Sequence, residues 1–204
     1  MEKAVNRFEE WFGTGRDLYV FSAPGRTEVG GNHTDHQRGR VLAAGVNLDA
    51  IAVAAKRDDT TACVHSEGYN PDIVDVNDPV LKEGELGHSA SLLRGMCTRM
   101  RELGCEVGGF DAYTTSNVLS GSGLSSSAAF EVLLGTMING MFFGDKLTAL
   151  QIAQMGQYAE NKYFGKPCGL MDQAASSIGS FITIDFEDKE NPEVRQINFD
   201  FAKS

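Results

Sequence analysis

At 204 residues, 42% apolar and 23% charged, the chain is long enough to bury a full core as one domain or two small ones. Twelve Phe, five Tyr and one Trp exclude a disordered polymer. A net charge of −10 and a pI near 4.8 argue against a nucleic-acid or acidic-membrane partner, which would require clustered Lys and Arg; a phosphorylated small molecule needs only local positive potential.

Val5, Phe8, Trp11 and Phe12 fall at helical spacing, so Met1–Phe12 is expected to be an amphipathic helix docked on the body. Its charges (Glu2, Lys3, Arg7, Glu9, Glu10) leave no apolar core for a signal peptide, and no apolar run approaches the roughly 20 residues of a membrane helix. A cytoplasmic protein is the expectation. Leu18–Ala23 reads as a strand ended by Pro24 and Gly25, and Val41–Ala55 as a buried strand or a hairpin around Asn47–Asp49. Thr61–Ser66 and Ile73–Val76 read as shorter strands between turns at Asn70-Pro71 and Asp78-Pro79.

Leu92, Leu93, Met96, Met100 and Leu103 share a face, which predicts a helix over His88–Leu103, stopped by Gly104. Gly109–Val118 is a predicted strand. Helices follow over Ser125–Phe143 and Leu147–Phe164, with a short one after Gly169. Ser180–Asp185 is a last clear strand and Val194–Phe199 its possible partner. Strands first and mixed elements later make the class α+β. Cys63, Cys97, Cys105 and Cys168 show neither a CxxC pair nor metal-ligand spacing, and His33 and His36 have no third ligand nearby.

Two loops concentrate polar residues. Pro24–Asp35 places Arg26, His33 and Asp35 among glycines between apolar runs, where binding and chemistry commonly sit; a polar surface turn is the plain alternative. Asn117–Glu131 leads from a strand through a Gly- and Ser-rich turn into a helix. Gly121 and Gly123 permit close approach of backbone N–H groups to an anion, and the helix start adds unpaired N–H donors and positive dipole. Ser125, Ser126 and Ser127 can bond phosphate oxygens or a Mg²⁺ ion; one serine would be plain capping, and three exceed what a cap needs. No Gly-Lys-Ser/Thr follows, so this is not a Walker A loop.

Gly123-Leu-Ser-Ser-Ser-Ala-Ala129 resembles the ATP loop of the GHMP small-molecule kinases. Gly25-Arg26 through Gly31-Asn32-His33-Thr34-Asp35 resembles the galactokinase signature, and Pro167-Cys168-Gly169-Leu170-Met171-Asp172-Gln173 the segment with that family's catalytic aspartate. The resemblance implies a GHMP kinase N-terminal domain over residues 1–204, a two-layer β-α-β fold like that of a ribosomal protein. It implies transfer of the ATP γ-phosphoryl to the anomeric hydroxyl of a sugar, galactose foremost, with ATP and Mg²⁺ required. Asp172 would face the sugar hydroxyl and Arg26 would face Asp172. Asn32, His33, Asp35 and Gly169 would meet the sugar. Gly121, Ser122, Gly123, Leu124, Ser125, Ser126 and Ser127 would hold ATP, and Ser127 with Glu160, 172 − 160 = 12 residues before Asp172, would hold the metal.

Departures accompany the match. Asn32 stands where galactokinases usually carry Glu; being neutral, it would also tolerate a C6 carboxylate, which keeps a uronic-acid kinase open. Glu28 replaces the usual Asn without an evident reason, and no aromatic near Ser89 replaces the Trp that often lines the adenine pocket. Family members carry roughly a further half chain, so the resemblance implies a second domain packed on this one and weak turnover by these residues alone. A non-catalytic sugar and ATP sensor is the alternative of a different class; intact Ser126-Ser127-Ala128-Ala129, Arg26 and Asp172 favour the enzyme.

Overall fold

A single 17-residue strand, β2 (Arg40–Lys56), carries the sheet. In this computed structural model, residues 1–189 and 191–197 are described, with the His36 side chain excepted. One edge of β2 pairs along its length with β1 (Tyr19–Gly30). Its other edge is divided: the second half pairs with β5 (Phe110–Ser116) and the first with β6 (Phe181–Asp185), all antiparallel. Beyond β5 lie β3 (Thr61–Ser66), parallel to it, and β4 (Asp72–Asp75); beyond β6 lies β7 (Glu193–Ile197). Seven strands thus form one mixed sheet.

Alternation along β2 assigns its two faces. Ala52 and Ala54 face the main core with α2 (Ser89–Glu102), α3 (Ser126–Ile138) and α4 (Ala149–Ala159), whereas Val53 and Ala55 face α1 (Glu2–Phe12), which inserts Phe8 beside Tyr113. Val41 and Ala43 in the first half of β2 pack with Ile182 and Ile184 on α5 (Met171–Ile178). This α+β layering is the predicted class. By length and composition Ser126–Phe143 could cross a membrane, but 61% of it is buried inside the fold, which makes it a core helix.

One prediction about strands is corrected. Pro24 and Gly25 do not end β1, because among the described residues β1 has β2 on one side only and a register shift between Pro24 and Arg26 absorbs the missing N–H. Of the two alternatives for Val41–Ala55 the strand is observed and the hairpin at Asn47–Asp49 is not: Asp49 pairs with Pro24, and its carbonyl accepts the Asn117 N–H at 3.0 Å. The strand predicted at Val194–Phe199 is observed over Glu193–Ile197; Asn198 and Phe199 lie outside the described residues. Both long predicted helices widen into a π-helical turn, Asn139–Phe143 and Glu160–Phe164, each closed by a left-handed glycine, Gly144 or Gly165. Such turns recur at functional sites, and the second begins at Glu160.

Candidate active site

The two polar loops meet. The Arg26 N–H donates to the Leu124 carbonyl at 3.0 Å, tying β1 to the serine-rich loop. The guanidinium then joins that loop to Asp172: Nη1 donates to the Gly123 carbonyl at 2.7 Å, Nε to Asp172 Oδ1 at 2.7 Å and Nη2 to Asp172 Oδ2 at 2.8 Å. Asp172 sits in the first turn of α5, its side chain 31% exposed against 9% for Arg26. Burial pushes the Asp172 carboxyl up, but hydrogen bonds from Arg26 and Ser125, with the Arg26 charge, outweigh it and hold the group below the usual carboxylate range. Asp172 is therefore a weak base held in one orientation.

None of the three serines caps α3. Ser125 is the residue before the helix, in a left-handed conformation (φ 53°), and its Oγ donates to Asp172 Oδ2 at 2.5 Å instead. Gly121 and Gly123 also have positive φ, 76° and 80°, which brings the turn around tightly. Ser122 closes that turn by donating to the Leu119 carbonyl at 2.7 Å. The capping alternative fails here: the residue at the helix start makes no side-chain cap hydrogen bond.

Two cavities open at this point and share Ser127. One, about 390 Å³, lies between Ser89, Ser116, Ser126, Ser127, Tyr69 and Phe130. The other, about 210 Å³, holds His33, Asp35, Glu160, Gly169 and Asp172. The predicted sugar residues His33, Asp35 and Gly169 are thus brought to Asp172, and the predicted ATP residues Ser126 and Ser127 to the neighbouring space. Asn32 is exposed and lines neither cavity, with φ 59° in a run of positive φ from Gly31 to His33. Asn tolerates this backbone better than most residues. A further cavity of about 420 Å³ at the β2–β6–β7 edge contains none of these side chains.

Glu28 now has a structural reason. Its Oε1 accepts the His33 backbone N–H at 2.9 Å and its Oε2 lies 3.1 Å from His33 Nε2, so it holds the loop and its imidazole together. Gly169 is required by close approach: a Cβ there would come 1.7 Å from Asp35 Oδ2, which also accepts the Met171 N–H at 3.3 Å.

Sequence reasoning missed a buried network behind the cavity. The Gln173 amide donates to Glu131 Oε2 at 2.9 Å and Glu160 Oε2 at 3.0 Å, and Lys166 Nζ donates to Glu160 Oε1 at 3.1 Å. Glu131 is fully buried and Glu160 only 4% exposed. Burial first, then the Glu160 carboxylate, push Glu131 well above the usual carboxylate range, while the Glu160 hydrogen bond raises the Lys166 ammonium. Glu131 Oε1 and Gln173 Oε1 have no partner among the described residues. The sequence offered one signal, a lone carboxylate four residues after Ser127 on an apolar helix. Tyr69 and Phe130, lining the larger cavity, supply the aromatic surface that the helix near Ser89 lacks.

Residues 91–180 match the family model of the GHMP kinases N terminal domain, and residues 6–56 match that of the galactokinase galactose-binding signature. The chain has the fold of a GHMP kinase N-terminal domain. Among curated relatives, the galactokinase of Streptomyces coelicolor is 37% identical over 196 residues, 96% of this chain and 50% of that protein. The galactokinase of Lactobacillus helveticus is 39% identical over 163 residues, 78% and 42% respectively. The crystal structure of Lactococcus lactis galactokinase complexed with galactose superposes with a TM-score of 0.86 at 28% identity, covering 97% of this chain and 52% of that one. The chain spans about half the length of the curated relatives it matches.

Proposed function

We propose that this domain phosphorylates the anomeric hydroxyl of a hexose, galactose foremost, with ATP as the donor. The observation that carries the reading is the sharing of Ser127 by two cavities, one with the serine loop and an aromatic wall, the other with Asp172, His33 and Asp35. A phosphoryl group passing between ligands in the two would cross the mouth of the serine loop. In this reading the nucleotide lies along Gly121–Ser127 with its base toward Tyr69 and Phe130, and the sugar lies against His33, Asp35, Gly169 and Asp172. Asn32, exposed next to His33, is assigned to the far end of the sugar.

Phosphoryl transfer is mostly positioning and charge stabilisation. Asp172, ionised and fixed by Arg26 and Ser125, accepts the hydrogen bond of the attacking hydroxyl and takes its proton as the oxygen bonds to phosphorus. Its low basicity delays that proton transfer until the hydroxyl has become acidic. Arg26 keeps the carboxylate charged and adds fixed positive charge beside the transferring group.

Magnesium fits the donor set. Among the described residues no group of three or more His, Cys, Asp or Glu is gathered for a metal. Magnesium, however, keeps several waters and binds through one or two protein oxygens together with substrate phosphates. Ser127 and Glu160 offer such oxygens on the wall of one cavity. Bound there, the ion would neutralise charge on the phosphates. We also infer that turnover needs a second domain over this cleft.

The Glu28–His33 pair favours a second reading of the sugar. Glu28 is engaged by His33, and neutral Asn32 beside it adds no charge that would repel an acid. A C6 carboxylate is then acceptable, as in galacturonate. The test is ADP release over a panel containing galactose, galacturonate and glucose, with the second domain supplied. Turnover of galactose alone establishes the first reading, preference for galacturonate the second, and no active sugar moves the domain to the sensor class.

A further inference from the structure

We propose that Lys166 is a resident cation on Glu160 that must leave before a divalent metal can bind, and so sets how tightly this domain holds magnesium without nucleotide. The proposal rests on the reading of Glu160 as a metal-facing carboxylate. A carboxylate as buried as Glu160 requires partners for both oxygens. Oε2 takes the amide of Gln173, itself only 1% exposed and anchored on Glu131. Oε1 takes the ammonium of Lys166.

The two partners differ in mobility. The Lys166 side chain is 62% exposed, against 5% for that of Glu160, so it can turn into water while Glu160 cannot follow. Lys166, Glu160 and Ser127 line the same cavity, which places the ammonium where a metal would approach Oε1. One carboxylate oxygen does not serve an ammonium and a divalent cation together, because the two positive charges repel at contact distance. Metal binding therefore releases Lys166. The exchange keeps the buried carboxylate compensated in both states, and it makes metal binding weaker by the strength of the pair that is lost.

The test is direct Mn²⁺ binding, followed by electron paramagnetic resonance on nucleotide-free protein. Lys166→Met is expected to tighten binding on the order of tenfold, Lys166→Arg to leave it weak, and Glu160→Gln to abolish it in either background. Unchanged or weaker binding by Lys166→Met, with Glu160→Gln still deficient, overturns the exchange while leaving Glu160 as a ligand. Unchanged binding by Glu160→Gln overturns both.

Discussion

Arg26 grips Asp172 with two parallel hydrogen bonds, Nε to Oδ1 at 2.7 Å and Nη2 to Oδ2 at 2.8 Å, across 146 residues of chain. The planar fork fixes the carboxylate plane as well as its charge. A lysine in its place would supply the charge without the plane. Arg26→Lys should therefore lower kcat by about 10²-fold and Asp172→Asn by about 10²–10⁴-fold, with smaller changes in the sugar KM. Because the two residues act as one unit, the double variant should be little slower than Asp172→Asn alone. Multiplicative losses in that cycle would mean that Arg26 acts on the phosphates independently of Asp172.

The same pair sets an acid limit. The folded pKa of Asp172 lies below its ordinary 3.8, so the pairing adds stability that is present above that value and is lost as pH falls through the folded pKa. The acid limb of kcat should accordingly lie below the ordinary carboxylate range, and Arg26→Lys should move it upward. Rate profiles between about pH 3 and 7 decide this; identical limbs in both proteins would contradict the assignment.

Legibility in the sequence follows how local each determinant is. The serine loop and the Arg26 loop could be read because glycines, a helix start and clustered polar residues lie within a few positions. The strand and helix positions followed from apolar periodicity. Pro24-Gly25 was misleading, since whether a proline ends a strand depends on which edge is paired, and that is decided by β2 far along the chain. Glu131, Gln173 and Lys166 are ordinary residues in isolation. Only the packing of α3, α4 and α5 makes them one network with Glu160. Glu28 likewise gained its reason from three left-handed or near-left-handed residues that fold His33 back upon it.

Gly169 is held to its identity by Asp35. A methyl group there would meet Oδ2 at 1.7 Å, so either the carboxylate or the start of α5 must shift. Gly169→Ala should cost about 1–3 kcal/mol of stability, a Tm lower by about 3–10 °C. It should also raise the sugar KM more than it lowers kcat, because Asp35 moves and Asp172 keeps its Arg26 fork. A thermal melt paired with steady-state kinetics checks both; an unchanged KM would remove Asp35 from the sugar site.

Glu131 offers the clearest pH-dependent stability. Its ordinary value is 4.5, and its folded value is raised well above that by burial and by Glu160. Below 4.5 the folded and unfolded chains both hold the proton and the site costs nothing. Above it the unfolded chain ionises while folded Glu131 stays neutral, so stability falls as pH rises until the folded pKa is passed. Glutamine keeps the shape, carries no charge, and brings an N–H donor into a space where Glu131 Oε1 and Gln173 Oε1 have no partner among the described residues. Glu131→Gln should thus resemble the parent near pH 4 and exceed it by about 1–3 kcal/mol at pH 7. Urea unfolding of both proteins across that range measures the difference. Parallel stability curves would show that Glu131 is ionised in the folded protein, and that the Gln173 amide sits between two charged carboxylates.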